Sequence, residues 1–198
     1  DNKRVRFLNY EEADILLDEL KSRSQQLHDI CYLALYTGMR MGEIFSLNWN
    51  DVNLEHNTIS IKDPKSGAGR NAYITPPLSS LFESMNKITS IAKGLLFKGR
   101  NGKKIREISN VFERVTEKLG LNKNVTDQRD KVVAHTLRHT FASWLAMQGS
   151  PIITIQKLMG HSNLEMTLRY AHLSPSHERD AVLELAKGKR NRIVNLKN

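Results

Sequence analysis

The chain is almost devoid of cysteine. Cys31 is the only one among 198 residues, which excludes an internal disulfide and a cysteine-built metal cage. It lies in the apolar stretch "LHDICYLALY", where it reads as a core residue rather than a reactive one. Long apolar runs are also missing. None is long enough to span a bilayer, and the first residues, "DNKRVRFLNY", lack the apolar stretch of a signal peptide. The expectation is a cytoplasmic chain with no membrane role. Internal repeats and low-complexity tracts are absent too. Acidic residues are in deficit, 21 against 30 basic ones, which leaves a formal net charge of +9. A domain this basic has a polyanion as its natural partner, nucleic acid first and an anionic membrane surface second. A ribosome-type or merely soluble basic protein would carry the same charge. The length suffices for one domain with a real core.

What is present reads mainly as helix. "NYEEADILLDEL" opens with Asn9 as N-cap and Glu12 three residues on, a capping-box spacing, and Ile15, Leu16 and Leu20 form a helical stripe. "LHDICYLALYTG" is a second, mostly buried helix that stops at Gly38, and "RMGEIFSLNW" is a short third. The pattern then changes. "TISIK" alternates with period two and "NAYIT" is rich in strand formers, with the turn-rich "DPKSGAGR" between them. This predicts a β-hairpin with a basic loop, to which "DVNL" could add a third strand. Helices are expected again over 78–88, 106–119 and 136–148. Ser150 and Pro151 then start a helix that Gly160 stops. Ser162 and Glu165 have capping-box spacing at the start of a helix carrying Tyr170, and Ser174 and Pro175 begin a last helix through "AVLELA". The fold class expected is mainly α with a small antiparallel three-stranded sheet.

Several side chains could carry chemistry. Arg40, in "TGMRMGE", and Arg138, in "HTLRH", each present an always-charged planar fork that matches two phosphate oxygens. Two such groups on one phosphate would stabilise a five-coordinate transition state; two surface arginines are the plainer alternative. His135 lies three residues before Arg138 and so faces the same way on a helix. His161 falls between a helix-ending glycine and a helix start, near free N–H groups that suit an anion. His135 and His139 have the i, i+4 spacing of zinc ligands, but no glutamate adjoins His135 and an arginine sits between them, so no metal is expected. Tyr170 has a phenol, a poor nucleophile unless cations lower its pKa or a base takes its proton. Arg40, Arg138 and Lys65 around it would favour phenolate. Lys65 in the hairpin loop could protonate a leaving oxygen, or could be a solvated turn lysine.

Taken in order, "TGMRMGEI", "KDPKSGAGRNAYITP", "HTLRHTFA" and "LMGHSNLEMTLRY" resemble the catalytic domain of the tyrosine recombinases, the phage-integrase family. The resemblance runs from about residue 8 to residue 175. It implies that Arg40 and Arg138 clamp the scissile phosphate, with His135 a hydrogen-bonding and acid–base residue beside them. It further implies that Lys65 protonates the 5′-hydroxyl leaving group, with Lys62 the fallback in the same loop. His161 would hold a non-bridging oxygen, Tyr170 would be the nucleophile, and Glu43, an acidic residue three after Arg40, would orient a neighbouring basic side chain.

The resemblance further implies a 3′-phosphotyrosine intermediate and strand exchange without metal, nucleotide or other cofactor. The implied partner is double-stranded DNA at recombination sites, bound by a homo-tetramer on synapsed DNA, with a monomer expected when free. Residues 1–187 are expected to be the catalytic domain and 188–198 a basic tail. The N-terminal DNA-clamping domain usual in the family has no counterpart, so the chain reads as a fragment. "AHLSPSHERDAVLELA" could pass to a neighbouring subunit or fold back on its own domain. The expected role is integration and excision of a mobile element. Two rivals share parts of the pattern: a type IB topoisomerase-like relaxing enzyme, and a DNA-binding regulator that does not cut.

Overall fold

The computed structural model describes residues 6–62, 69–88, 94–175 and 182–183. Helix α1 (Tyr10–Arg23) begins at Asn9, and the expected capping box forms. Asn9 Oδ1 accepts from the Glu12 N–H at 2.7 Å, and Glu12 Oε2 accepts from the Asn9 N–H at 3.0 Å. Two of the donors orphaned at a helix start are thus satisfied. The buried face is Ala13, Leu16, Leu17 and Leu20; Leu16 and Leu20 of the expected stripe are in it, and Ile15 is exposed. Helix α2 (Gln25–Thr37) starts on Ser24 and ends at Gly38, whose φ of 65° is the left-handed stop. Helix α3 (Met41–Ile44) is a single turn.

A three-stranded antiparallel sheet follows, in the order β1 (Val52–Asn53), β2 (Thr58–Ile61), β3 (Arg70–Tyr73). Ile59 pairs with both Val52 and Ala72, and Ile61 pairs with Arg70. Ile59, Ile61 and Ala72 turn inward, and the alternation of "TISI" is what sorts them. "DVNL" therefore supplies the third strand. The hairpin loop 63–68, which holds Lys65, lies outside the described residues.

Helix α4 (Pro76–Ile88) is followed by α5 (Val111–Lys118), five residues shorter at its start than expected. Ile105 and Ile108 pack on the core from irregular backbone, so helical spacing there reflects burial rather than helix. Helix α6 (Ala134–Met147) is the spine of the molecule. Its Leu137 and Trp144 belong to the main core with α1, α2 and the sheet, while Ala142 and Ala146 belong to a second, smaller cluster with Ile155, Met159 and Tyr170. The segment before α1 is tied to the same helix: the Leu8 N–H donates to Thr140 Oγ1 at 3.0 Å, and Trp144 Nε1 donates to the Leu8 carbonyl at 2.9 Å.

Helix α7 (Ile152–Met159) has Pro151, not Ser150, at its N-cap, and it stops at Gly160 with φ 61°. Helix α8 (Glu165–Leu168) is one turn, capped at Leu164. The Ser162–Glu165 capping box does not form; Asn163 Oδ1 takes the Glu165 N–H instead, at 3.0 Å. Tyr170 falls after α8, at the start of a 3₁₀ turn over Ala171–Leu173, so it is not carried on a helix as expected. The proposed last helix and the tail at 188–198 lie outside the described residues except for helical residues 182–183. Among the described residues, no helix is long and apolar enough to cross a membrane.

Candidate active site

The two arginines singled out in the sequence are fixed by helix ends. Arg138 projects from α6 and is buried. Its Nη1 donates to the Gly38 carbonyl at the end of α2, and its Nη2 to the Met159 carbonyl at the end of α7, at 2.5 Å. Arg40 leads into α3, and its Nη2 donates to the Gly160 carbonyl at 3.3 Å. The last carbonyls of a helix lack intrahelical partners and carry the negative end of its dipole, so guanidinium groups suit them. The turns after α2 and α7 therefore hold both arginines. Burial, then repulsion from Arg40 and Arg70, lowers the Arg138 pKa to about 9 against the pull of Glu43. The group remains charged at neutral pH.

Glu43 joins this pair to a residue the motif reading did not assign. Its Oε1 accepts from Arg40 Nη1 at 3.1 Å. Both its oxygens also accept from Arg70, Nη1 to Oε1 and Nη2 to Oε2, each at 2.8 Å. Arg70 Nε reaches on to the Leu158 carbonyl at 3.0 Å. Burial works against ionisation of Glu43, but the Arg70 and Arg40 hydrogen bonds outweigh it and hold the carboxyl below its ordinary range. The bidentate pair fastens the first residue of β3 to α3, and the Nε bond ties it to the end of α7. A Cβ on Gly160 would stand 2.8 Å from the Arg70 guanidinium, so only glycine leaves room for it. The one sequence signal for Arg70 was its place as the last basic residue of "DPKSGAGR".

Tyr170 is 4% exposed, and its hydroxyl shares a 2.6 Å hydrogen bond with Nδ1 of His139. Burial pushes the phenol up to about 12, against the opposing pull of Arg169 and Arg138. The expectation of a phenolate is thereby overturned in the DNA-free chain: desolvation of the anion outweighs the nearby positive charge. His139 is itself buried and was considered in the sequence only as a zinc spacing. His135, one turn earlier and exposed, meets it edge-on with ring centroids 4.8 Å apart.

Nδ1 of His161 pairs with Thr167 Oγ1 at 2.9 Å. Burial, then the charges of Arg138, Arg40, Arg169 and Arg70, lowers its pKa to about 4, so it is neutral at pH 7. His135, Arg138, His139, His161, Arg169 and Tyr170 open on one cleft of about 200 Å³, with two methionines completing its wall. Arg169 contributes a buried Nε with no hydrogen-bond partner. Arg40 and Glu43 adjoin this cleft through Gly160. Lys65 lies outside the described residues, and Lys62 is largely exposed and pairs with Asp51 Oδ1 at 3.2 Å. Among the described residues no group of three or more His, Cys, Asp or Glu side chains is placed to hold a metal.

Residues 6–177 match the model of the phage integrase family. The chain belongs to the phage integrase family. This family member is 31% identical over 187 residues to the integrase of Salmonella phage P22, covering 89% of this chain and 46% of the phage protein. It matches the solved structure of the catalytic domain of bacteriophage HP1 integrase with a TM-score of 0.66 and 29% identity, over 89% of this chain and 93% of that one. It also matches the XerH site-specific recombinase in a post-cleavage complex with its palindromic difH substrate, with a TM-score of 0.68 and 25% identity, over 91% of this chain and 53% of that one. The chain spans about half the length of the curated relatives it matches.

Proposed function

We propose that this phage integrase family chain is the catalytic part of a site-specific DNA recombinase, acting on double-stranded DNA for integration and excision of a mobile element. The observation that carries the reading is the opening of the Tyr170 phenol onto the same cleft as Arg138, His161 and Arg169. A phosphodiester seated there would have a nucleophile on one side and fixed positive charge around its oxygens. Arg40 and Arg138 clamp the scissile phosphate. His161, neutral and able to donate from Nε2, holds a non-bridging oxygen. His135 hydrogen-bonds at the cleft mouth, and Glu43 keeps Arg40 in place. Tyr170 attacks phosphorus, and a 3′-phosphotyrosine forms as the 5′-oxygen leaves with a proton from Lys65, or from Lys62 of the same loop. A 5′-hydroxyl of a partner strand then attacks the phosphotyrosine and rejoins the DNA. The energy of the broken bond is kept in the covalent link, so neither metal nor nucleotide is needed. In this reading residues 1–187 form the catalytic domain, 188–198 a basic tail, and the working assembly is a tetramer on synapsed DNA.

Covalent trapping tests it. The chain is incubated with a pool of nicked duplexes with randomised cores and a 5′-bridging phosphorothiolate at the cleavable position. An SDS-resistant protein–DNA adduct is expected, and Tyr170→Phe is expected to abolish it. Salt-sensitive DNA binding with no adduct from the wild-type chain would instead fit a DNA-binding regulator.

A further inference from the structure

A nucleophilic phenol must lose its proton, and the DNA-free chain makes this difficult. Tyr170 is almost fully buried and titrates near 12. At neutral pH only about one molecule in 10⁵ would ionise spontaneously. The groups around it divide sharply by chemistry. Arg138 and Arg169 stabilise negative charge but carry their full complement of protons and accept none. His161 has its Nδ1 engaged by Thr167 and lies among four arginines that oppose its protonation. His139 is different: its ring nitrogen stands 2.6 Å from the reacting oxygen itself, inside the range a general base requires.

We propose that His139 is the proton acceptor for Tyr170, taking the phenolic proton on Nδ1 as the oxygen attacks phosphorus and returning it when the strands rejoin. The role rests on the recombinase reading above. In cleavage the Tyr170 O–H bond breaks and its proton passes to His139, while the Oη–P bond forms and the P–O5′ bond breaks. The departing O5′ takes a separate proton from the loop lysine. In rejoining, the incoming 5′-hydroxyl gives its proton to that lysine, and the released phenolate recovers its own from His139. The fold places this acceptor economically. His139 directly follows Arg138 on α6, so one turn of one helix carries both the phosphate clamp and the base. The imidazolium formed lies beside the phosphorane as that group gains negative charge. Burial of His139 keeps water from competing for the phenol.

Two measurements test the role. In ¹⁵N NMR of the DNA-free chain at pH 7, His139 Nδ1 is expected to be unprotonated and accepting, with a shift that moves in Tyr170→Phe. A proton resident on Nδ1 would overturn the proposal, because the phenol could not then donate to it. Single-turnover cleavage of the phosphorothiolate pool is the second measurement, since a sulfur leaving group removes the need for the lysine acid. His139→Gln and His139→Phe are expected to slow adduct formation by roughly 10²- to 10⁴-fold with DNA affinity and melting temperature near wild type. A wild-type adduct with either folded variant reacting within about threefold of it would overturn this role alone. No adduct from the wild-type chain overturns the recombinase reading and this role with it.

Discussion

At the scale of single residues, the site is governed by desolvation and charge, and at His161 the two act in the same direction. Burial, then the charges of four arginines, lowers its pKa from the ordinary 6.5 to about 4. The unfolded chain has no such surroundings and takes up a proton near pH 6.5. Between those limits the unfolded state binds more protons than the folded one, so the stability present above pH 6.5 is lost as pH falls toward 4. Replacing the imidazole with a group that does not titrate removes this loss. Urea midpoints measured from pH 7 to pH 4.5 are therefore expected to fall more steeply for wild type than for His161→Asn. Parallel curves would show that the histidine titrates normally. The residues of the site were unequally legible. Arg40, Arg138, His135, His161 and Tyr170 stand in short motifs whose order betrays them. Arg70 and His139 do not, because their partners lie 27 and 31 residues away and only the fold brings them together.

At the scale of elements, glycine punctuation and the Asn9 start of α1 were readable, and the starts of α5 and α7 were not. Gly38 and Gly160 end α2 and α7 where expected, because only a left-handed residue turns the chain there. The starts of α5 and α7 shifted because apolar residues outside a helix, such as Ile105 and Ile108, pack on the core with helix-like spacing, and because Pro151 rather than Ser150 takes the cap. Gly38 also carries the site, since its carbonyl receives Arg138. A methyl group there would meet Phe141 Cδ1 at 2.4 Å and Met159 Sδ at 3.0 Å, on backbone with φ 65°. The left-handed conformation alone costs roughly 1–2 kcal/mol for a residue with a Cβ, and displacing the Phe141 ring adds to it. Gly42 lies four residues on, inside α3, where an added Cβ would meet nothing within 4 Å. Gly38→Ala is thus expected to lower unfolding free energy by at least ~2 kcal/mol, and Gly42→Ala to raise it by about 0.4–1 kcal/mol. Chemical denaturation of the two variants beside wild type checks both signs at once.

At the scale of the whole molecule, the excess of basic residues was evident from composition, but its division of labour was not. Part of the charge is engaged internally: Arg70 and Arg40 on Glu43, Arg138 on two helix-end carbonyls. Among the described residues, Lys98, Arg100, Lys103 and Lys104 are exposed and free of the cleft network, where they can neutralise phosphates. If about four to six phosphates are contacted, the logarithm of the DNA association constant falls with the logarithm of salt at a slope of about −4 to −5. Raising salt from about 50 to about 200 mM would weaken duplex binding by roughly 100- to 1,000-fold. Tyr170 adds nothing to this slope, because a neutral phenol releases no counterion. Binding isotherms for wild type and Tyr170→Phe across that salt range are expected to be parallel, although only the wild type forms an adduct. A slope near zero would remove electrostatic docking from the reading. A slope that changes with the single hydroxyl would mean that cleft chemistry and general DNA binding are not separable, contrary to a fold that buries Tyr170 in its own small cluster.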